Sequence, residues 1–193
     1  MKSEVKRLFV ALPLPPGVRD LLGSWIRSGQ RLLPFRRWTH PEDLHITLYF
    51  LGDTGPEQMA PLLSQLGKIA AAHSPFRLSL NACGSFGRPA FPSILWAGVG
   101  GETERLRRLQ ADMRTSLVAL GFADEVRPYR PHITLGRQYT GDKPLEKLPE
   151  RLGAELIGNP DNRSWLADRV VLFESRPGKT PMYSPIASYP LGG

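Results

Sequence analysis

Two stretches carry an imidazole and a hydroxyl two residues apart. They are LHITLYFLG, with His45 and Thr47, and RPHITLGR, with His132 and Thr134. Side chains alternate along a strand, so each His shares a face with its Thr. Ile46, Leu48, Phe50, Ile133 and Leu135 take the opposite faces and read as core. Histidine titrates near neutrality, so one imidazole can accept a proton while another donates one. Threonine hydroxyls can donate to a tetrahedral anion. Arg137, five residues after His132 at the end of its stretch, can curl over the same group. Two such pairs facing each other suit in-line displacement at a phosphodiester, one His activating water and the other protonating the leaving oxygen. Each proton-transfer role typically contributes ~10²–10⁴-fold, and donors aimed at the charged phosphorane add electrostatic stabilisation.

A single H-x-T in a strand is an ordinary half-buried polar pair. Two copies, each in a strand that follows a helix, form a constellation. His40 and His73 sit before a proline and near a helix end, where capping or exposure is the expected role. A zinc site would need a third ligand at recognisable spacing, and neither H-E-x-x-H nor paired cysteines occur, so no metal or other cofactor is expected. RPGKTP ends like a phosphate-binding loop, but the glycine that loop requires is Phe173. Neither a G-x-S-x-G elbow nor a glycine-rich dinucleotide fingerprint is present. Strict alternation puts Tyr49 on the face of His45, which makes it a candidate cleft lining. Phe86 and Trp96 are candidates for stacking a base, with core packing the competing reading for all three aromatics. Arg130 is a candidate for following a nucleic-acid backbone, with a solvated arginine the competing reading.

The strands need elements to hold them. RLFVALPL (7–14) reads as a buried strand, followed from Pro16 by a helix with Val18, Leu21, Leu22, Trp25 and Ile26 at helical spacing. LHITLYFL (44–51) is the next strand, stopped by Gly52 and Asp53. A second helix from about Pro56 carries Met59, Leu62, Leu63, Leu66 and Ile69 on one face. FRLSLNAC (76–83) and SILWAGV (93–99) are strands separated by the turn-rich GSFGRPAFP. A third helix, about 102–120, turns Leu106, Leu109, Met113, Leu117 and Leu120 inward and ends at Gly121. PHITLGR (131–137), RVVLFES (169–175) and MYSPIASYPL (182–191) read as strands, and 138–167 is polar with little pattern. No linker separates the halves. The expectation is one α+β domain over 1–193, bilobal, with mixed or antiparallel sheets and a cleft between the lobes.

Of the 25 cationic residues, 19 are arginine, and the net charge is +7. Arginine's planar fork suits phosphate, so an anionic partner fits, although a basic face alone is not specific. No apolar run approaches a membrane span. The basic, apolar start is broken by Pro13, Pro15 and Pro16 and reads as a first strand rather than a leader. With Cys83 as the single cysteine, no internal disulfide can form, and the cytoplasm is the expected compartment.

The paired motifs resemble the two-histidine phosphoesterase superfamily. RLFVALPLP, WTHPEDLHITLYFLG, LWAGV, YRPHITLGR and LFESRPG are closely similar to its bacterial and archaeal branch. That branch comprises the RNA 2′,3′-cyclic phosphodiesterases, also called 2′-5′ RNA ligases. The resemblance covers about residues 7–190. It implies two mainly antiparallel sheets flanked by helices, with the active cleft between them. It also implies metal-independent hydrolysis of RNA 2′,3′-cyclic phosphate ends to 2′-phosphates, with 2′-5′ joining to a 5′-hydroxyl as the related reaction. His45 falls on the proton donor, His132 on the acceptor, and Thr47, Thr134 and Arg137 on the phosphate contacts. Pseudo-symmetry lets the two histidines exchange roles. The implied partner is RNA with a cyclic end or a cyclic nucleotide, and a monomer is expected because one chain forms the cleft. The alternatives are a phosphodiesterase for small cyclic nucleotides and a non-catalytic module that binds RNA ends.

Overall fold

The computed structural model describes residues 5–145 and 163–192. Nine strands, three α-helices and one short 3-10 helix (Pro41–Asp43) are assigned among them. The strands are β1 (Lys6–Pro13), β2 (Phe35–Trp38), β3 (His45–Thr54), β4 (Phe76–Arg88), β5 (Phe91–Gly101), β6 (His132–Tyr139), β7 (Ser164–Ala167), β8 (Arg169–Ser175) and β9 (Tyr183–Pro190). The helices are α1 (Pro16–Gln30), α2 (Pro56–Ala71) and α3 (Thr103–Ala119).

The strands form two sheets, ordered β3-β1-β8-β9 and β2-β6-β5-β4-β7. Every pairing is antiparallel, which resolves the choice between mixed and antiparallel sheets. The sheets do not divide the chain into halves. The early strand β2 joins the second sheet beside β6, and the late strands β8 and β9 join the first. One motif strand lies in each sheet, and β3 approaches β6 where the sheets meet. The Tyr129 hydroxyl donates to the Thr47 carbonyl at 3.0 Å, and the Thr39 N–H donates to the Leu135 carbonyl at 2.9 Å.

The helices bury the faces their spacing predicts: Val18, Leu22, Trp25 and Ile26; Leu62, Leu66 and Ile69; Leu106, Leu109, Met113 and Leu117. A contiguous buried cluster includes residues of both sheets and all three helices. Leu120 is an exception, 37% exposed rather than inward. Helix α3 ends at Ala119, and Gly121 adopts a left-handed φ of 89°. The Phe122 N–H donates to Leu117 O and the Gly121 N–H to Val118 O, the paired bonds of a Schellman cap. Phe122 then fills the apolar position at the helix end.

Three further expectations change. GSFGRPAFP is mostly strand: β4 runs to Arg88 and β5 restarts at Phe91, with Gly87 at φ 101° beside a register shift. Short β2 and β7 were hidden, β2 by its paired arginines and β7 inside the pattern-poor segment. Residues 146–162 of that segment lie outside the described ones.

Candidate active site

His45 opens β3 and His132 opens β6, so each motif begins where its strand begins. Their rings are held alike. His45 Nδ1 lies 2.7 Å from the Asp43 carbonyl, and His132 Nδ1 lies 2.7 Å from the Arg130 carbonyl. A carbonyl only accepts, so Nδ1 carries the proton in each neutral ring and Nε2 presents its lone pair. His45 Nε2 then accepts from the Thr47 hydroxyl at 3.0 Å.

Both strands also contain the same irregularity. In β3, Val10 pairs with Tyr49 and Ala11 with Thr47, leaving Leu48 as an extra residue. In β6, Leu95 pairs with Gly136 and Trp96 with Thr134, leaving Leu135 extra. A bulge reverses the facing of everything after it. In a regular strand Arg137, at an odd offset from His132, would face away from it. After the bulge Leu135 and Gly136 are both buried, while Arg137 is exposed and lines the cleft. Gln138 follows with a left-handed φ of 60°.

The bulge in β3 corrects the expectation for Tyr49. Leu48 and Tyr49 are both buried, Tyr49 at 3% exposure, and the Tyr49 hydroxyl donates to the Ala123 carbonyl at 2.5 Å. Tyr49 therefore packs in the core, and Phe50 turns outward at 66% exposure. The Phe86 ring lies edge-on to His132 with centroids 4.9 Å apart. Trp96 tilts against Phe86 at 5.3 Å, and its ring occupies the space a side chain at Gly84 would fill. The Arg130 side chain lines a separate depression of about 320 Å³ with Trp96, Asn81 and Arg107.

His45, Thr134 and Arg137 share a cleft of about 910 Å³. Phe9, Tyr183 and Phe173 crowd His45, with ring centroids at 4.9, 5.2 and 6.2 Å. That burial is the main reason the His45 pKa drops to about 4; the Asp43 carbonyl and carboxylate oppose the drop, and the charges of Arg137 and His132 deepen it. His132 is also lowered, mainly by burial and then by Arg137, against the bond to Arg130. Both imidazoles are therefore neutral in the free protein at neutral pH.

Asp43 is a residue the sequence reading passed over as part of a turn. It is 6% exposed, and its two carboxylate oxygens accept from the N–H groups of Met182 and Tyr183, both at 2.9 Å. One residue thus orients the His45 ring through its carbonyl and fastens the start of β9, with Tyr183, through its side chain. Its signal lay in position: an acidic residue two before the motif histidine.

Burial pushes the Cys83 thiol up to about 12, which leaves it unreactive as a nucleophile. Among the described residues no group of three or more His, Cys, Asp or Glu is placed to hold a metal ion. His73 pairs with Asp112 at 2.9 Å, and His40 Nδ1 accepts from the Glu42 N–H. Among the described residues no helix is long and apolar enough to cross a membrane.

The sequence model of the 2′-5′ RNA ligase superfamily matches residues 26–179. The chain belongs to this superfamily. It is 37% identical over 96% of its length to a Geobacillus stearothermophilus protein named RNA 2′,3′-cyclic phosphodiesterase, of which it spans 57%. A Bacillus subtilis protein of the same name is 30% identical, with 95% of each chain covered. Among solved structures of this fold, E. coli LigT complexed with 3′-AMP superposes with a TM-score of 0.79 at 25% identity. That match covers 98% of this chain and 100% of LigT.

Proposed function

We propose that this member of the superfamily is an RNA 2′,3′-cyclic phosphodiesterase. On this reading it opens the cyclic phosphate at an RNA end to leave a 2′-phosphate. The supporting observation is the shared tethering of both imidazoles, which presents two Nε2 atoms of matched tautomer at the junction of the sheets. A module that only bound RNA ends would have no use for two such proton carriers.

In this reaction His132 Nε2 takes a proton from water as its oxygen attacks phosphorus. The bond to the ribose 3′-oxygen breaks, and His45 gives that oxygen a proton. Among the described residues His132 Nε2 has no partner, so it is open to water, whereas His45 Nε2 faces Thr47. The lower pKa of His45 makes its protonated form the stronger acid. Its proton arrives with the substrate, because an anionic phosphate nearby favours the imidazolium. Once His45 is protonated, its Nε2–H turns to the leaving 3′-oxygen, and the Thr47 hydroxyl, no longer donating to that nitrogen, is free to donate to the phosphate. Thr134 and Arg137 supply further donors to the phosphorane. Replacing water by a 5′-hydroxyl gives 2′-5′ joining by the same step. This route uses no metal or cofactor. The buried cluster through both sheets supports treating the chain as one domain. The reading adds a monomer, because one chain forms the cleft, and a cytoplasmic enzyme, which its single cysteine suits.

An oligoribonucleotide ending in a 2′,3′-cyclic phosphate, incubated with excess chelator, provides the test. We expect a 2′-phosphate product, with His45→Ala and His132→Ala each losing ~10²–10⁴-fold in kcat. Either variant retaining activity within a few-fold of the parent, while folded, would refute the acid–base assignment.

A further inference from the structure

The cleft extends well past His45, and its extension is basic. Arg27, Arg36, Arg37 and Lys179 line it together with Arg137. The acidic group in the same lining is Asp43, whose carboxylate oxygens already accept from two backbone N–H groups. The many ion pairs of the molecule lie elsewhere. Among the described residues Arg36, Arg37, Arg137 and Lys179 pair with no carboxylate.

Two of these cations are set directly against each other. In the β2–β6 pairing Arg37 is the register partner of Arg137. Like charges directly opposite on neighbouring strands are destabilising. Here no described carboxylate relieves them, and β2 is the edge strand, with Arg36 also exposed on it. Such an arrangement suits an anion that spans the pair. One phosphate at Arg137 leaves Arg36 and Lys179, in the same lining, without a role.

We propose that Arg36, Arg37 and Lys179 form a track for the upstream phosphates of an RNA strand whose cyclic end reacts at His45 and His132. This rests on the reading of the site given above and adds to it. The protein would distinguish a polynucleotide end from a cyclic mononucleotide by backbone charge and not by base identity. Arginine forks suit successive phosphate oxygens, and contacts of this kind release counterions and weaken with salt.

The experiment compares the parent with Arg36→Gln/Lys179→Gln and with Arg37→Gln. Hydrolysis of a cyclic-ended oligoribonucleotide is measured beside that of a 2′,3′-cyclic mononucleotide. Binding of a fluorescent oligoribonucleotide is followed by anisotropy across a salt series. We expect the oligonucleotide-to-mononucleotide ratio of kcat/KM to fall about tenfold or more in the double variant, and binding to lose about 0.7 of its log–log salt slope per phosphate contact removed. Equal losses on both substrates, or an unaltered salt slope, would overturn the track. If the parent bound RNA with the expected slope but hydrolysed neither substrate, the catalytic reading would fail and the track would stand.

Discussion

Asp43→Asn changes one atom and tests how the site is assembled. Both carboxylate oxygens of Asp43 accept backbone N–H groups, from Met182 and Tyr183, each at 2.9 Å. Asparagine offers one oxygen and one NH₂, so one of those N–H groups must face another donor. The lost charge-assisted bond is worth about 1.5–3 kcal/mol, and the stranded N–H about 1–3 kcal/mol. The two overlap, because both describe one contact, and about 3 kcal/mol is the expected total. For a chain this long each kcal/mol shifts Tm by about 2–4 °C, so a loss of about 6–12 °C is expected. Stability alone would not show that Asp43 positions the site. The carboxylate also raises the His45 pKa, so its removal should move the acidic limb of the kcat/KM profile to lower pH. Differential scanning calorimetry and a pH–rate series on the same preparation read both effects. A Tm within about 2 °C of the parent, together with an unmoved acidic limb, would refute the assignment.

Two further predictions concern charge at the site. His45 binds its proton at about 4 in the folded protein and near 6.5 when unfolded. Between those values the unfolded state holds a proton that the native state lacks, so stability falls as pH drops from about 6.5 to about 4. The limit is about 3 kcal/mol, reduced by the partial exposure of the ring. Urea unfolding at both ends of that window should show a smaller acid loss in His45→Ala than in the parent, and equal losses would contradict the depressed pKa. Because both imidazoles are lowered, the singly protonated pair peaks below pH 6.5 and kcat/KM should decline through neutrality. The kcat optimum should lie higher, since bound phosphate favours the imidazolium. Arg137→Lys retains the charge but loses the fork, and we expect kcat/KM to fall about tenfold or more with Tm little changed. Parent-like kinetics would show that charge alone suffices at that position.

Much of the fold was legible because three helices and most strands carry their period openly. Leu62, Leu66 and Ile69 recur on one face, and Leu106, Leu109, Met113 and Leu117 do the same. What stayed hidden was short or irregular. Phe35–Trp38 is a four-residue edge strand with two charges at its centre, and it carries no period. The buried Asp43 could not be read because burial of a carboxylate depends on partners about 140 residues away. Bulges were the other concealed feature. Alternation extrapolated past Thr47 placed Tyr49 in the cleft and Phe50 in the core, and the extra residue at Leu48 exchanges them.

The bulges also explain how a repeated motif can yield unequal sites. Both strands read His, Ile, Thr, Leu from their first residue, and both place the extra residue at that Leu. The fifth position after each histidine is therefore brought round toward the face of that histidine. In β6 that position is Arg137, and in β3 it is Phe50. Phe50 lies 6.2 Å from Phe9, which itself packs against His45. One histidine is thus embedded in aromatic rings and strongly desolvated, while the other has, among the described residues, a single ring edge at Phe86. The backbone supplies two equivalent Nε2 atoms, and their surroundings set the two pKa values apart. An acid and a base can then arise from the same four letters.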